Sequence, residues 1–207
     1  MPPLKTPTVF VIDDEESVRK ALARLLRSAG FSAAVFGSSQ EFLQAQVPDA
    51  PGCLVLDLAM PGLNGLELQQ ALADRGAAWP IIFLTGRADV PMSVEAMKQG
   101  AFDFLTKPVH DETLLAVVRQ ALERDRAARH ARSQLDEVDR RLAALTPRER
   151  EVLAQVVAGR LNKQIAADLG TVEKTIKVHR ARVMEKMKVR SVAELVRLTD
   201  RAGVGRK

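Results

Sequence analysis

Through the first 120 residues, short apolar runs alternate with amphipathic stretches. The runs TVFVID (8–13), AAVF (33–36), CLVLDL (53–58), IIFLT (81–85) and AFDFL (101–105) have strand length. Helical patterns separate them, which predicts βαβ units around a parallel sheet. Helix boundaries are marked as well. Ser38 with Glu41, and Asn64 with Glu67, each set an N-cap oxygen three residues before a carboxylate. Gly30 closes the first helix, where a left-handed residue is needed. Five such units predict a doubly wound α/β domain over residues 1–122.

A long polar helix follows. Leu114, Val117, Ala121, Arg124, Ala128, Ala131, Leu135, Val138, Leu142 and Leu145 recur at alternating three- and four-residue steps, a heptad seam with one charged break. The pattern predicts a helical linker over 123–145, either a two-chain coiled coil or an amphipathic helix docked on its own domain. Thr146-Pro147-Arg148-Glu149 then reads as a strong helix start, opening an all-α domain over 146–207. Four helices fit it, at about 147–158, 162–169, 172–188 and 191–202, with Gly159 and Gly170 closing the first two and Ser191 with Glu194 capping the last.

Charge divides along the same lines. Residues 1–120 carry 10 Lys/Arg against 14 Asp/Glu, whereas residues 146–207 carry 15 against 7. An acidic module is thus tied to one that prefers polyanions. No apolar run reaches membrane-spanning length, and MPPLKTPT lacks a signal-peptide pattern, so no membrane association is expected. The single cysteine, Cys53, lies in an apolar run; a buried, inert thiol and a cytoplasmic location are expected.

In a doubly wound sheet, ligands sit outside the carboxyl ends of the strands. Asp13, Asp14, Asp57, Thr85 and Lys107 all fall at those ends. Three carboxylates in one space need a compensating cation, and a hard oxygen-seeking ion such as Mg2+, or Mn2+, suits them. Lys107 adds a compact charge, Thr85 a hydroxyl able to follow a phosphoryl group, and Gly86 leaves room beside it. A metal-dependent phosphatase would also use a nucleophilic aspartate. Its commonest motif needs a second aspartate two residues on, where this chain has Ala59.

In NKQIAADLGTVEKTIKVHRARVMEKMK (162–188), Ile165, Ala166 and Leu169 give the first helix an apolar face. Ile176, Val183 and Met187 do so for the second, with Lys174, Lys177, Arg180 and Arg182 largely off that stripe. This is the construction of a helix-turn-helix whose second helix enters the major groove of double-stranded DNA. No aromatic residue interleaves the stretch, which disfavours stacking on single strands.

Residues 6–122 resemble the response-regulator receiver family, through VFVIDDE, Asp57 within LVLDLAMPGLNGLEL, LTG at 84–86 and FLTKP at 104–108. The resemblance implies a flavodoxin-like fold and phosphoryl transfer from a sensor histidine kinase to Asp57. It implies metal binding by Asp13, Asp14, Asp57 and the backbone carbonyl of Ala59, and phosphate pairing by Lys107. Thr85 and Phe104 become the switch residues, and a cis Lys107–Pro108 bond is common in relatives. Two departures stand out: Ala59 replaces a polar side chain near the attacking water, and Phe104 replaces the more usual tyrosine.

Residues 145–198 resemble the LuxR-type four-helix domain, through LTPREREVL, AGRLNKQIAADLG, VEKTIKVHRARVMEKM and VRSVAELVRL. By position, Lys177 and Val178 become base readers, Lys174, Thr175 and Arg180 phosphate contacts, and Lys163 a grip on the flanking backbone. Val172 stands where a serine N-cap is usual, so Thr171 is expected to cap instead. His179 is expected to pack or to touch DNA rather than bind metal. The last helix implies a dimer contact through Val192, Leu195, Val196 and Leu198. Together the two resemblances imply the NarL/FixJ class, a homodimer on phosphorylation that addresses RNA polymerase and is not an enzyme toward external substrates. A constitutive DNA binder with an uncoupled receiver and a protein-binding adaptor are the competing readings.

Overall fold

Alternate residues of the central strands belong to opposite apolar layers, and that alternation builds the first half of the molecule. The computed structural model describes residues 7–45, 47, 50–86 and 90–201. Among them run β1 (Thr8–Ile12), α1 (Glu16–Ser28), β2 (Ser32–Phe36), α2 (Ser39–Gln44), β3 (Gly52–Leu56), α3 (Gly65–Asp74), β4 (Ile81–Thr85), α4 (Val90–Lys98) and β5 (Asp103–Thr106). The long α5 (Asp111–Ala143) follows, then α6 (Pro147–Val157), α7 (Asn162–Asp168), α8 (Glu173–Lys186) and α9 (Val192–Arg201). The chain divides into two compact units between Arg129 and His130, inside α5.

In the first unit the strands lie in the order β2-β1-β3-β4-β5, every neighbouring pair parallel. Val9, Val11, Cys53, Val55, Ile82 and Leu84 meet α1 and α5 on one face. Phe10, Ile12, Leu54, Leu56, Ile81 and Phe83 join Phe42, Leu68, Leu72 and Ala96 in the layer on the other. A strand covered on both faces must be apolar at every position, which is why β3 and β4 read as continuous runs. The edge strands β2 and β5 are only partly buried. Cys53 is wholly buried, and burial pushes its thiol up to about 12, which disfavours the reactive thiolate.

The caps follow the sequence closely, with adjustments at α2, α8 and α9, where the Glu194 carboxylate takes the Arg190 amide rather than that of Ser191. Asn64 with Glu67 and Thr146 with Glu149 form complete capping boxes. The Ser38 hydroxyl accepts from the Glu41 amide at 3.1 Å, but the Glu41 carboxylate takes the Gly37 amide rather than that of Ser38. Thr171 does not cap α8. Its own amide closes the preceding turn on the Ala166 carbonyl at 2.9 Å, leaving Val172 as an N-cap with no side-chain bond.

The heptad seam is shared between two cores. Leu114, Val117 and Ala121 lie in the first unit's core, and Val138, Leu142 and Leu145 pack into the second's. Arg124, Ala128, Ala131 and Leu135 stay exposed in a row, so the stretch open to a second chain is far shorter than the periodicity suggests. Asp125, buried on α5, accepts from the Gly52 amide at 2.9 Å and from Arg129 at 2.8 Å, fastening the helix to the start of β3. In the second unit Val152, Leu153, Val156, Ile165, Ile176, Val183, Met187 and Leu195 form the core.

Candidate functional site

The strand order reverses at β1, whose neighbours are β2 and β3, and ligands of doubly wound sheets sit beyond the carboxyl ends at such a point. Ile12 pairs with Leu56, so the next residue of each strand, Asp13 and Asp57, stands at the same level. The Asp57 amide donates to the Ile12 carbonyl at 2.8 Å and holds that register one step further. On the far side Thr85 pairs with Thr106, and the Lys107 amide donates to the Thr85 carbonyl at 2.7 Å. The Lys107–Pro108 bond is cis. Lys107 Nζ reaches Asp13 Oδ2 at 2.6 Å and lies 3.4 Å from Asp57 Oδ1.

Both carboxylates are nearly enclosed, Asp13 at 2% and Asp57 at 7% exposure. Burial raises the Asp57 carboxyl above its ordinary value; Lys107 opposes that rise and the Asp13 charge adds to it. Burial works against the Lys107 ammonium, but the bond and charge of Asp13, then the Asp57 charge, hold its pKa above the usual lysine value. The lysine does the compensating that a bare carboxylate pair requires. Asp57 Oδ1 is nonetheless buried without a hydrogen-bond partner, an acceptor atom left with spare capacity.

Asp14 and Ala59 are exposed beside the pocket, and among the described residues no three His, Cys, Asp or Glu side chains converge as a ligand set. Hard oxygen donors with one orphaned lone pair nevertheless fit an ion that keeps much of its water shell. Thr85 is buried at the end of β4, and Gly86 is exposed next to it. Phe104 is half-buried in the second apolar layer, its ring centroid 6.4 Å from that of Phe83.

Three supports of the pocket were not legible from the motifs. Arg19 Nη1 donates to the Asp13 carbonyl at 2.6 Å from α1. A Cβ at Gly65 would stand 2.6 Å from the Asp57 carbonyl oxygen and 2.9 Å from the Phe83 ring, so only glycine lets α3 start so close to Asp57. Gln69 Nε2 donates to the Ala96 and Gln99 carbonyls at 3.4 and 3.1 Å, joining α3 to the end of α4.

In the second unit α7 and α8 are joined by a turn through Gly170, whose φ of +63° is one that side chains resist. Ile165, Ala166, Ile176, Val183 and Met187 face inward. Lys163, Lys174, Lys177, Arg182 and Val178 are exposed, while Thr175 and Arg180 are half-buried. Lys177 pairs with Glu173 at 3.1 Å, one turn back along the helix. Arg180 Nη1 donates to Asn162 Oδ1 at 3.0 Å, tying the middle of α8 to the start of α7. His179 is half-buried with an unpartnered Nδ1, consistent with packing. Leu195 is fully enclosed in the chain's own core, so it is not available to a dimer contact; Val192, Val196 and Leu198 remain half-buried.

The second unit also carries an ion pair that the sequence did not announce. Lys186 Nζ donates to Glu149 Oε2 at 2.6 Å and to the Ala144 carbonyl at 3.1 Å. That ammonium first, then the Thr146 amide, holds the Glu149 carboxyl down at about 2.

Residues 9–119 match the family of response regulator receiver domains, and residues 143–199 match the bacterial regulatory proteins of the luxR family. The chain is 46% identical to Nodulation protein W of Bradyrhizobium diazoefficiens over 95% of its own length and 86% of that protein's. It is 48% identical to the transcriptional regulatory protein FixJ of Azorhizobium caulinodans over 95% and 93%. Among solved structures, the response regulator StyR superposes with a TM-score of 0.89 at 46% identity, covering 94% of this chain and 98% of that one. The two matched domains make a DNA-binding regulator of a kind whose partner is a histidine kinase, in a family that is not one of catalytic enzymes. No helix among the described residues is long and apolar enough to cross a membrane. The pocket at the sheet's reversal point, the basic helix-turn-helix and these likenesses agree, and the chain belongs to the NarL/FixJ class of two-component response regulators.

Proposed function

We propose that Asp57 is the phosphoacceptor and that its state sets how tightly α8 engages duplex DNA. The observation that carries this reading is the buried Asp57 carboxylate at the sheet's reversal point, whose Oδ1 makes no hydrogen bond and lies 3.4 Å from Lys107 Nζ. A carboxylate oxygen of Asp57 attacks the phosphorus of a phosphohistidine on the kinase. The phosphorus–nitrogen bond breaks, and the imidazole leaves with the electron pair and takes up a proton. Lys107 is close enough to turn from the carboxylates toward the new phosphoryl oxygens. Asp13, Asp14, Asp57 and the Ala59 carbonyl would hold Mg2+ or Mn2+, which when bound supplies positive charge to the phosphoryl oxygens.

Phosphoryl binding draws Thr85 toward the phosphate and Phe104 inward, and the remodelled surface favours a homodimer. Two α8 helices then meet adjacent half-sites, and two linked weak contacts act as one strong one. Lys177 and Val178 face bases, while Lys163, Lys174, Thr175 and Arg180 face phosphates. The regulator works in the cytoplasm and addresses RNA polymerase from the bound promoter. The exposed, unstacked cations on α7 and α8 favour DNA over a protein-binding adaptor role.

The test is beryllofluoride with Mg2+, a phosphoryl mimic, on wild type and Asp57→Ala. Wild type alone should dimerise and bind duplex DNA more tightly. Equal DNA binding by both proteins, with or without the mimic, would instead establish a constitutive binder.

A further inference from the structure

The outward face of α8 is not uniformly polar. Lys174, Lys177, Val178, Ala181 and Glu185 follow one another at three- and four-residue steps or adjoin, all exposed, opposite the buried Ile176 and Val183. Ala181 lies one turn beyond Val178, so their methyl groups adjoin at mid-helix. Val178 leaves 46% of its surface to solvent, and neither residue contributes to the core. A phosphate would call for a cation or hydroxyl at these positions, and the face supplies neither there.

On the edges of base pairs in the major groove, one apolar group is on offer, the 5-methyl of thymine. We infer that the Val178–Ala181 strip selects thymine methyls, with Lys177 beside it donating to N7 or O6 of an adjacent guanine. The operator half-site would then carry guanine next to one or two thymines. This rests on the reading that α8 enters the major groove, and it adds which bases that groove must hold. Lys177 has to leave Glu173 to make its contact, and an exposed pair of this kind opens at little cost.

The experiment enriches bound duplexes from a randomised library with the full chain and beryllofluoride. In the enriched site each thymine is then replaced by deoxyuridine, which removes only the methyl, and each guanine by 7-deazaguanine, which removes only N7. Wild type should lose about three- to fivefold in affinity at one or two of the thymines, as befits a single buried methyl group. Val178→Ser and Ala181→Ser should each erase or shrink that loss while keeping the guanine response, and Lys177→Met should do the reverse. Deoxyuridine without effect anywhere, or an unchanged loss in both serine variants, overturns the inference and leaves duplex binding intact. Failure to retain any duplex overturns the groove reading and the inference together.

Discussion

The two units treat charge in opposite ways. In the receiver unit three charged groups of the site are largely enclosed and face one another: Asp13 and Asp57 are 2% and 7% exposed, and Lys107 is bonded to the first at 2.6 Å. In the C-terminal unit Lys163, Lys174 and Lys177 stand in solvent and the core is complete without them. Buried charge must be compensated by the fold that buries it, whereas exposed charge is nearly free. Substitutions in the pocket should therefore change stability and function together. Those on the outer face of α8 should change function alone.

The largest effect is expected from Asp57→Asn. Removing the proposed nucleophile should cut phosphoryl incorporation from a small-molecule donor by about a hundredfold or more, read by intact mass. The same variant should melt higher than wild type, because a buried carboxylate facing Asp13 has gone. Incorporation at the wild-type rate would move the acceptor elsewhere. Next comes Lys107→Ala, which strands two carboxylates that it now compensates. A loss of about 3 kcal/mol in urea unfolding is expected, partly recovered by millimolar Mg2+ through binding to the folded state. A variant as stable as wild type without metal would show that the pocket tolerates its own repulsion.

The complementary test is Lys174→Ala. DNA affinity at low salt should fall by about tenfold, and the slope of log affinity against log salt should shrink by about one. Unfolding should move by less than about 0.5 kcal/mol. A clear stability loss would end the contrast between the units.

Legibility followed the same division. Asp13, Asp57, Thr85 and Lys107 could be found because each lies within a residue or two of the end of an apolar run, and such ends converge in a doubly wound sheet. Arg19 and Gly65 could not, because their partners are a backbone carbonyl on β1's exit and a close approach of α3, neither of which leaves a periodic trace. The seam from Leu114 to Leu145 illustrates the other difficulty. Heptad spacing says that a stripe will be buried but not against what, and here the ends of that stripe are claimed by two separate cores. Leu195 carried the same ambiguity: apolar on an amphipathic helix, it serves the chain's own core. On α8 the cations were readable from composition, yet the cap was not, since the helix starts at Glu173 and puts Val172 at the N-cap, with Thr171 one residue too early in the turn.

The smallest effect concerns a buried charge of the C-terminal unit, where among the described residues it behaves like the receiver. Glu149 is 2% exposed, accepts from the Thr146 amide at 2.9 Å and from Lys186 at 2.6 Å, and its carboxyl sits at about 2 instead of the ordinary 4.5. A carboxyl that is more acidic when folded binds its proton first in the unfolded chain. Its contribution is therefore complete above the ordinary value and is lost as pH falls from about 4.5 toward about 2. Glu149→Gln keeps the shape and removes the charge, and should cost about 1 kcal/mol near neutrality, the size of a helix cap. The gap between variant and wild type in urea unfolding, followed by circular dichroism, should close across that acid window. A gap that persists unchanged to the bottom of the window would mean that Glu149 acts through packing and hydrogen-bond geometry. The C-terminal unit would then owe nothing to buried charge, and the division between the units would be complete.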